Sequence, residues 1–372
     1  MTLFYSPLVV SVTPVDSLVL VTPLSATVGS TFSFSYQCAS GPSLQIFSTD
    51  DSLTSSAQLG LPVTGNGLDY SQTVVVQAAG AYVGKLTCGT SVRQSAVFNV
   101  QPKRRATLIA MGDSYSSGEG NAPFDEGTDT ARNKCHRSSN AWPRYLSRLD
   151  ASGVHLISHI ACSGAVIPSL TASYKTEPAQ LNQLANLARP DIITITLGGN
   201  DVGFATVVRN CYLTLNCDKT LVKDAEKAIS GPALPLTAVG FDGLVQELTA
   251  ALQAVKAIRP NARVILVGYP NIFPTSSAAA MRCGWLSEAE RVSLVRLAGL
   301  LNDAATTAAA SAGAEFVTTL DALAGHELCT ADSWVVPVGL FTGAQLQQNA
   351  HPMALGQFAM AKRVEVYLNG GL

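Results

Sequence analysis

The chain has 372 residues and a formal net charge of −2, with 24 Lys and Arg against 26 Asp and Glu. It is long enough for two domains, and its balanced charge gives no electrostatic basis for binding nucleic acid or an anionic membrane. No apolar run reaches the ~18 residues of a membrane-spanning helix, so no integral membrane segment is predicted.

The composition favours an extracellular protein. Charged residues make up only 13% of the chain, against ~25% in an average soluble protein, and small and hydroxylated residues replace them. Residues 1–5 lack the basic segment of a signal peptide, so no signal peptide is predicted within this sequence. The composition alone therefore favours an extracellular location only weakly, and such a location implies either that a signal peptide has been removed or that export takes another route.

The eight cysteines include no Cys-x-x-Cys pair. Zinc sites usually show that short spacing, so we predict no metal and no cofactor. Disulfides are the favoured interpretation, and they indicate an oxidising compartment. Buried thiols are the alternative.

The first hundred residues predict a β-sandwich. Short β-rich stretches alternate with turn residues and show no helical period; they are LVVSVTP, LVLVTP, TFSFSYQC, SLQIFS, QTVVVQ, YVGKLTC and SAVFNV. Cys38 and Cys88 lie in two of these stretches, and a bond between them would stabilise the fold by ~4 kcal/mol. The arrangement resembles an immunoglobulin-like domain with its inter-sheet disulfide, so residues 1–101 are predicted to form an all-β Ig-like domain.

A short polar segment, QPKRR at Gln101–Arg105, follows this domain. Its three basic residues could form a nucleic-acid patch. A solvated linker is the favoured interpretation, because three charges at a domain junction rarely do more than contact water.

Beyond the linker, strand and helix patterns alternate. The strand candidates are continuous apolar runs, as expected for parallel strands covered on both faces; they are Ala106–Met111, Val154–Ala161, Asp191–Leu197, Arg263–Gly268 and Glu315–Leu320. Residues 106–372 are therefore predicted to form a doubly wound parallel α/β domain.

Helical patterns lie between these strands. Leu244, Leu248, Leu252 and Val255 recur at helical spacing. A capping box at Ser287-x-x-Glu290 predicts a long helix to about Ala310, and His351–Leu368 is predicted to form the last helix.

Polar motifs follow three of the strands and precede the last helix. Ser114 lies in MGDSYSSGEG after the first strand, Gly164 in ACSGA after the second, and Asn200 in LGGNDVG after the third. His351 lies in NAHPMALGQ. Ligands of doubly wound folds bind beyond the carboxyl ends of the strands. A turn glycine or a helix cap would explain each motif alone, but the four in this order indicate one site.

These motifs resemble those of the SGNH (GDSL) hydrolases, and the similarity extends over about Thr107–Leu372. Three further stretches, CHRSSNAWPRYL, GHELCTADSW and HPMALGQ, are similar to the secreted actinomycete-type lipases and esterases of that family. The resemblance implies a flavodoxin-like catalytic domain and a secreted carboxylic ester hydrolase that forms an acyl-enzyme on Ser114.

The chemistry agrees with that implication. A serine hydroxyl is a weak nucleophile that needs an adjacent base, and His351, with an ordinary pKa near 6.5, can accept and return its proton. The backbone N–H groups of Ser114 and Gly164 and the side-chain amide of Asn200 would form the oxyanion hole. The other histidines are expected to be structural, although His136 and His326 could line the cleft.

The third member of a triad is missing from its usual place. Many family members have Asp three residues before the histidine, where this chain has Gln348. A backbone carbonyl of Gln348 or of a neighbour is predicted to hold the histidine Nδ1–H instead. Asp113 is the obvious substitute but is expected to brace the nucleophile loop, and Asp201 and Asp332 are less well placed.

The resemblance and the sequence order favour three disulfides in the second domain, Cys135–Cys162, Cys211–Cys217 and Cys283–Cys329.

Loops expected near the site are apolar: Val202 and Phe204, NIFPTSS after the fourth strand, and VVPVGLF before His351. They favour an acyl ester or lipid as substrate. A carbohydrate O-acetyl esterase is the second enzyme hypothesis, and an adhesin-like binding protein is the non-enzyme hypothesis. The Ig-like domain could contact substrate, a cell surface or the catalytic domain.

Overall fold

The computed structural model describes residues 16–21, 24–39, 41–50, 52–54, 57–64, 68–101, 104–213, 217–230, 243–276, 283–339 and 347–370. The chain divides into two compact units, Met1–Arg104 and Arg105–Leu372. Each unit has its own hydrophobic core.

The first unit is built from two β-sheets. Its described strands are β1 (Ser17–Leu20), β2 (Ser25–Thr27), β3 (Thr31–Gln37), β4 (Ser43–Ser48), β5 (Ala57–Leu59), β6 (Val63–Thr64), β7 (Asp69–Val76), β8 (Gly80–Cys88), β9 (Ser91–Gln94) and β10 (Phe98–Gln101). One sheet has the order β1-β3-β7-β5, with β6 on β7, and the other has β2-β10-β8-β4, with β9 on β8. The predicted strand LVVSVTP, at residues 8–14, lies outside the described residues.

One core joins these two sheets. Phe32, Phe34 and Tyr36 are buried at alternate positions of β3, because successive side chains of a strand point to opposite faces. Phe98 of the other sheet packs on Phe32, with the ring centroids 4.6 Å apart. The Cys38–Cys88 disulfide links the end of β3 to the end of β8, so it connects the sheets as in the Ig-like arrangement.

The second unit contains a parallel sheet of five strands in the order β12-β11-β13-β14-β15. The strands are β11 (Ala106–Gly112), β12 (Val154–His159), β13 (Ile192–Thr196), β14 (Arg263–Val267) and β15 (Glu315–Val317). This order is that of the flavodoxin-like doubly wound fold, which confirms the predicted fold class. All five predicted strands are present, and the last ends three residues earlier than predicted.

Helices accompany this sheet: α1 (Ser114–Ser117), α2 (Trp142–Arg148), α3 (Gln180–Asn186), α4 (Phe204–Leu213), α5 (Leu221–Ser230), α6 (Leu244–Ile258), α7 (Glu288–Ala312) and α8 (Ala354–Leu368). The predicted capping box opens α7, where the Glu290 N–H donates to Ser287 Oγ and Glu290 Oε2 accepts the Ser287 N–H. Helix α8 begins at Ala354, three residues later than predicted. His351 precedes Pro352, and the helical conformation is unfavourable for a residue before proline.

The eight cysteines form four disulfides, Cys38–Cys88, Cys135–Cys162, Cys211–Cys217 and Cys283–Cys329. None of the helices in the described part of the chain combines the length and the apolar character needed to cross a membrane.

Candidate active site

Ser114 lies at the carboxyl end of the central strand β11. The strand ends at Gly112, Asp113 caps α1, and Ser114 is the first residue of that helix. Asp113 is buried and braces this turn: it accepts hydrogen bonds from the Tyr115 N–H at 3.0 Å, from the Thr196 hydroxyl at 2.7 Å and from the Tyr269 hydroxyl. The predicted role of Asp113 as a support of the loop agrees with these contacts.

The structure brings His351 to Ser114. The distance from His351 Nε2 to Ser114 Oγ is 2.7 Å. The other ring nitrogen, Nδ1, lies 3.0 Å from the Asn349 carbonyl and 3.3 Å from the Gln348 carbonyl. Since carbonyls only accept hydrogen bonds, Nδ1 carries the proton and Nε2 can accept one from the serine. The contact of residue 348 with the ring is therefore made by its backbone, not its side chain.

Burial sets the protonation of His351. The ring is almost enclosed, and burial lowers its pKa, an effect that the Glu119 charge and the two carbonyl hydrogen bonds partly offset. A lowered pKa favours the neutral imidazole, which is the form that can act as a base at neutral pH.

Three aspartates were considered from the sequence as possible partners of His351, and none of them contacts its ring. Burial raises the pKa of Asp113 to about 6, and its oxygens are occupied by the donors named above. Asp201 accepts the Ile167 N–H at 2.9 Å, and the exposed Asp332 lies beside His326. Among the described residues, no carboxylate reaches the Nδ1 atom of His351, so the ring is held by carbonyls alone.

A buried carboxylate that the sequence did not single out lies nearby. Glu119 is fully buried, and its Oε2 is 2.8 Å from His136 Nδ1. The same oxygen accepts from the Gln347 side chain at 2.9 Å, and Gln347 begins the turn that leads to His351. Glu119 therefore anchors this turn, and its negative charge partly offsets the lowering of the His351 pKa by burial. His136 has a structural role in this pair, while His326 stacks on Trp334.

The residues predicted for the oxyanion hole meet at the same place. Ser114, Gly164, Asn200 and His351 line one cavity, whose volume is about 1010 Å³ including its open mouth. Gly164 has φ +79°, a left-handed backbone conformation that favours glycine, and a Cβ there would displace the Tyr174 hydroxyl, which it would approach to 2.7 Å. The Asn200 side-chain amide donates to the Ala165 carbonyl at 2.9 Å, which fixes it beside Gly164.

A second, smaller cavity also reaches Ser114, with a volume of about 520 Å³ including its mouth, and it shares Asn200 and His351 with the first. Its wall is largely apolar, and its lining includes Phe204, Ala205, Val208, Pro270, Ala298 and Leu301. Phe204 therefore borders the site as expected, whereas Val202 is buried in the core. The contributions of Tyr269 and of helix α7 were not foreseen.

The described residues contain no cluster of three or more His, Cys, Asp or Glu side chains arranged to hold a metal ion.

Comparison with known proteins gives consistent matches. Residues 110–357 match the GDSL-like Lipase/Acylhydrolase family. The chain is 30% identical to a lipase of Streptomyces rimosus over 257 residues, which cover 69% of this chain and 84% of that protein. Two solved structures are similar over 72% of this chain and 100% of theirs: an extracellular lipase from Streptomyces rimosus, with 28% identity and a TM-score of 0.56, and phospholipase A1 from Streptomyces albidoflavus NA297, with 29% identity and a TM-score of 0.54.

Proposed function

We propose, on the premise that the chain belongs to the GDSL-like Lipase/Acylhydrolase family and is a serine ester hydrolase, that Ser114 and His351 form its catalytic dyad. The observation that carries the proposal is the 2.7 Å contact between Ser114 Oγ and His351 Nε2, with Nδ1 held by backbone carbonyls. Ser114 is the nucleophile, His351 is its base, and the carbonyls orient the base. Catalysis of acyl transfer by a serine requires these three parts in contact in this order.

The reaction follows in two steps. Ser114 Oγ attacks the ester carbonyl while His351 Nε2 takes the hydroxyl proton; the proton then passes to the departing alkoxide, which leaves as the alcohol. In the second step, His351 deprotonates a water molecule that attacks the acyl-enzyme, and the carboxylic acid leaves as Ser114 regains its proton. The Ser114 and Gly164 N–H groups and the Asn200 amide would stabilise the oxyanion in both steps.

The residues that line the two cavities support an acyl ester or lipid as substrate. The apolar cavity would take the acyl chain, since transfer of CH₂ groups from water to an apolar site is favourable by ~0.8 kcal/mol each. The larger cavity, whose lining includes Ser163, Thr206 and Arg209, would take the more polar alcohol part. The volume of the apolar cavity beside the nucleophile exceeds what an acetyl group would fill. This favours esters of longer acyl chains over the O-acetyl alternative.

A matched pair of variants on helix α7 tests this assignment. Leu301 lines the apolar cavity, whereas its neighbour Leu300 packs on the core without lining it. Leu301→Ala enlarges this cavity. We expect it to raise the ratio of kcat/KM for p-nitrophenyl octanoate to that for the butyrate by ~10-fold or more, because a methylene-sized change in such a pocket alters kcat/KM by ~10–200-fold. The ratio is independent of the fraction of folded enzyme.

Leu300→Ala should leave that ratio unchanged. An equal shift in both variants, or a wild-type preference for acetate over all longer esters, would contradict the acyl-cavity assignment.

Secretion and the domain boundaries are further proposals. Four disulfides support an oxidising compartment, and one solved relative is an extracellular lipase. We place an Ig-like domain at residues 1–101 and the hydrolase domain at 106–372. Expression of residues 106–372 alone tests the division: retention of kcat/KM on a soluble ester supports it.

A further inference from the structure

We propose that Lys175 is a positioning residue of the oxyanion hole, acting through the peptide that joins Ser163 to Gly164. The Lys175 ammonium donates hydrogen bonds to the Ser163 carbonyl at 2.7 Å and to the Lys134 carbonyl at 3.0 Å. The Ser163 carbonyl and the Gly164 N–H belong to one peptide unit. The inference rests on the proposed function, in which that N–H is an oxyanion donor.

The geometry of a peptide makes this contact consequential. The C=O and N–H of a planar trans peptide point in opposite directions, so a donor that fixes the Ser163 carbonyl also fixes the direction of the Gly164 N–H. A charge-assisted hydrogen bond is stronger than a neutral one, and it polarises the peptide so that its N–H becomes a better donor. Lys175 thereby prepares the donor without touching the substrate.

An unusual turn delivers the ammonium to this position. Tyr174 and Glu177 exchange both backbone hydrogen bonds, at 3.0 and 2.9 Å, and the two residues between them have φ values of +47° for Lys175 and +69° for Thr176. Two successive positive φ values normally select Asn-Gly, and side chains at such positions are strained. Arg137 holds Glu177 in a two-point contact at 2.6 and 2.9 Å, which ties the turn to the neighbouring loop.

Two of the described residues make the charge contributions to the pKa of the ammonium. Glu119 and Lys134 face it with opposite signs, and Nζ lies 5.4 Å from the centre of the Tyr174 ring. Burial, the largest effect, and Lys134 lower the pKa of Lys175, Glu119 raises it, and the result is about 8. The residue is therefore charged at neutral pH and loses its charge under mildly alkaline conditions.

Lys175→Met and the matched control Lys134→Met test the inference. Methionine keeps an unbranched apolar side chain and removes the ammonium. The Lys134 side chain pairs with Asp129 at 2.6 Å and acts on Lys175 only through its charge, whereas the hydrogen bond from Lys175 goes to the Lys134 backbone carbonyl, which the control retains. We would measure kcat and KM for p-nitrophenyl butyrate from pH 6 to 9.5, per active site titrated with a fluorophosphonate.

Lys175→Met is expected to lower kcat ~10- to 100-fold with KM within ~3-fold, less than the ~10²–10³-fold effect of losing an oxyanion donor outright. Wild-type kcat should fall on an alkaline limb near pH 8, and Lys175→Met should lack that limb. Lys134→Met should keep kcat within ~2-fold at pH 7 and move the limb upward, because one positive neighbour is gone.

Lys175→Arg keeps the test decisive if the methionine variant does not fold. Arginine remains charged throughout the range, so the alkaline limb should disappear while kcat at pH 7 is retained within ~10-fold. A wild-type kcat that stays flat to pH 9.5, or a Lys175→Met kcat equal to that of Lys134→Met, would overturn the inference.

Asn200→Ala separates this failure from failure of the proposed function. If Asn200→Ala lowers kcat ~10²-fold or more and Lys175→Met has no effect, the oxyanion hole stands and only the role of Lys175 is wrong. If Asn200→Ala has no effect either, the oxyanion hole itself is wrongly assigned.

Discussion

The orientation of His351 by backbone carbonyls predicts that Gln348→Ala is nearly silent, while His351→Ala is not. The ring Nδ1 lies 3.0 Å from the Asn349 carbonyl and 3.3 Å from that of Gln348, and alanine at 348 keeps both acceptors. A neutral hydrogen bond contributes ~0.5–1.5 kcal/mol, and ~1.4 kcal/mol corresponds to tenfold. Even a weakened carbonyl contact should therefore lower kcat/KM by less than ~10-fold.

His351→Ala removes the base itself, and general acid–base catalysis contributes ~10²–10⁴-fold. Gln347→Ala is a useful neighbour for comparison, because its side-chain amide contacts Glu119 at 2.9 Å and Ser163 Oγ at 2.7 Å. We expect all three variants to have a lower kcat/KM for p-nitrophenyl butyrate than the wild type. The loss should be smallest for Gln348→Ala, intermediate for Gln347→Ala and largest for His351→Ala. A Gln348→Ala loss equal to that of His351→Ala would refute the reasoning, since the side chain would then be the third catalytic member.

Three further outcomes are expected. The acid limb of kcat/KM should lie below pH 6.5, because burial lowers the pKa of His351 and activity is lost only as pH falls through that pKa; a limb above pH 7 would contradict this. Asp113→Asn should lower the free energy of unfolding by ~1–3 kcal/mol, measured in urea, yet reduce kcat/KM far less than the ~10⁴-fold of a triad acid. EDTA should leave the rate unchanged, and a loss restored by a divalent ion would count against metal-free hydrolysis.

The parts of the fold predicted best from sequence are those set by local pattern. The five strands of the parallel sheet are apolar runs, and the Ser287 capping box marks the start of α7 within one residue. The motifs at the strand ends also come together, because parallel strands present their carboxyl ends at one edge. The family resemblance, the fold class and the ester-hydrolase activity are confirmed.

Long-range burial could not be predicted in the same way. Glu119 lies in a glycine-rich loop where a charge suggests solvent exposure, and its burial depends on His136, which is 17 residues away in another loop. Lys175 also has no local signal, since its partner Ser163 belongs to a different turn. By contrast, the carbonyl that holds His351 was predictable because it lies only two or three residues before the ring.

The most direct test of the account is the site of covalent labelling by a fluorophosphonate. The wild-type enzyme is incubated with the reagent, digested and analysed by tandem mass spectrometry beside Ser114→Ala and His351→Ala. We predict one adduct per chain on Ser114, no adduct in Ser114→Ala, and much slower labelling of His351→Ala, because its serine has lost the base that activates it. An adduct on another residue, or ester hydrolysis by Ser114→Ala above ~1% of the wild-type rate, would contradict the assignment of Ser114 as the nucleophile.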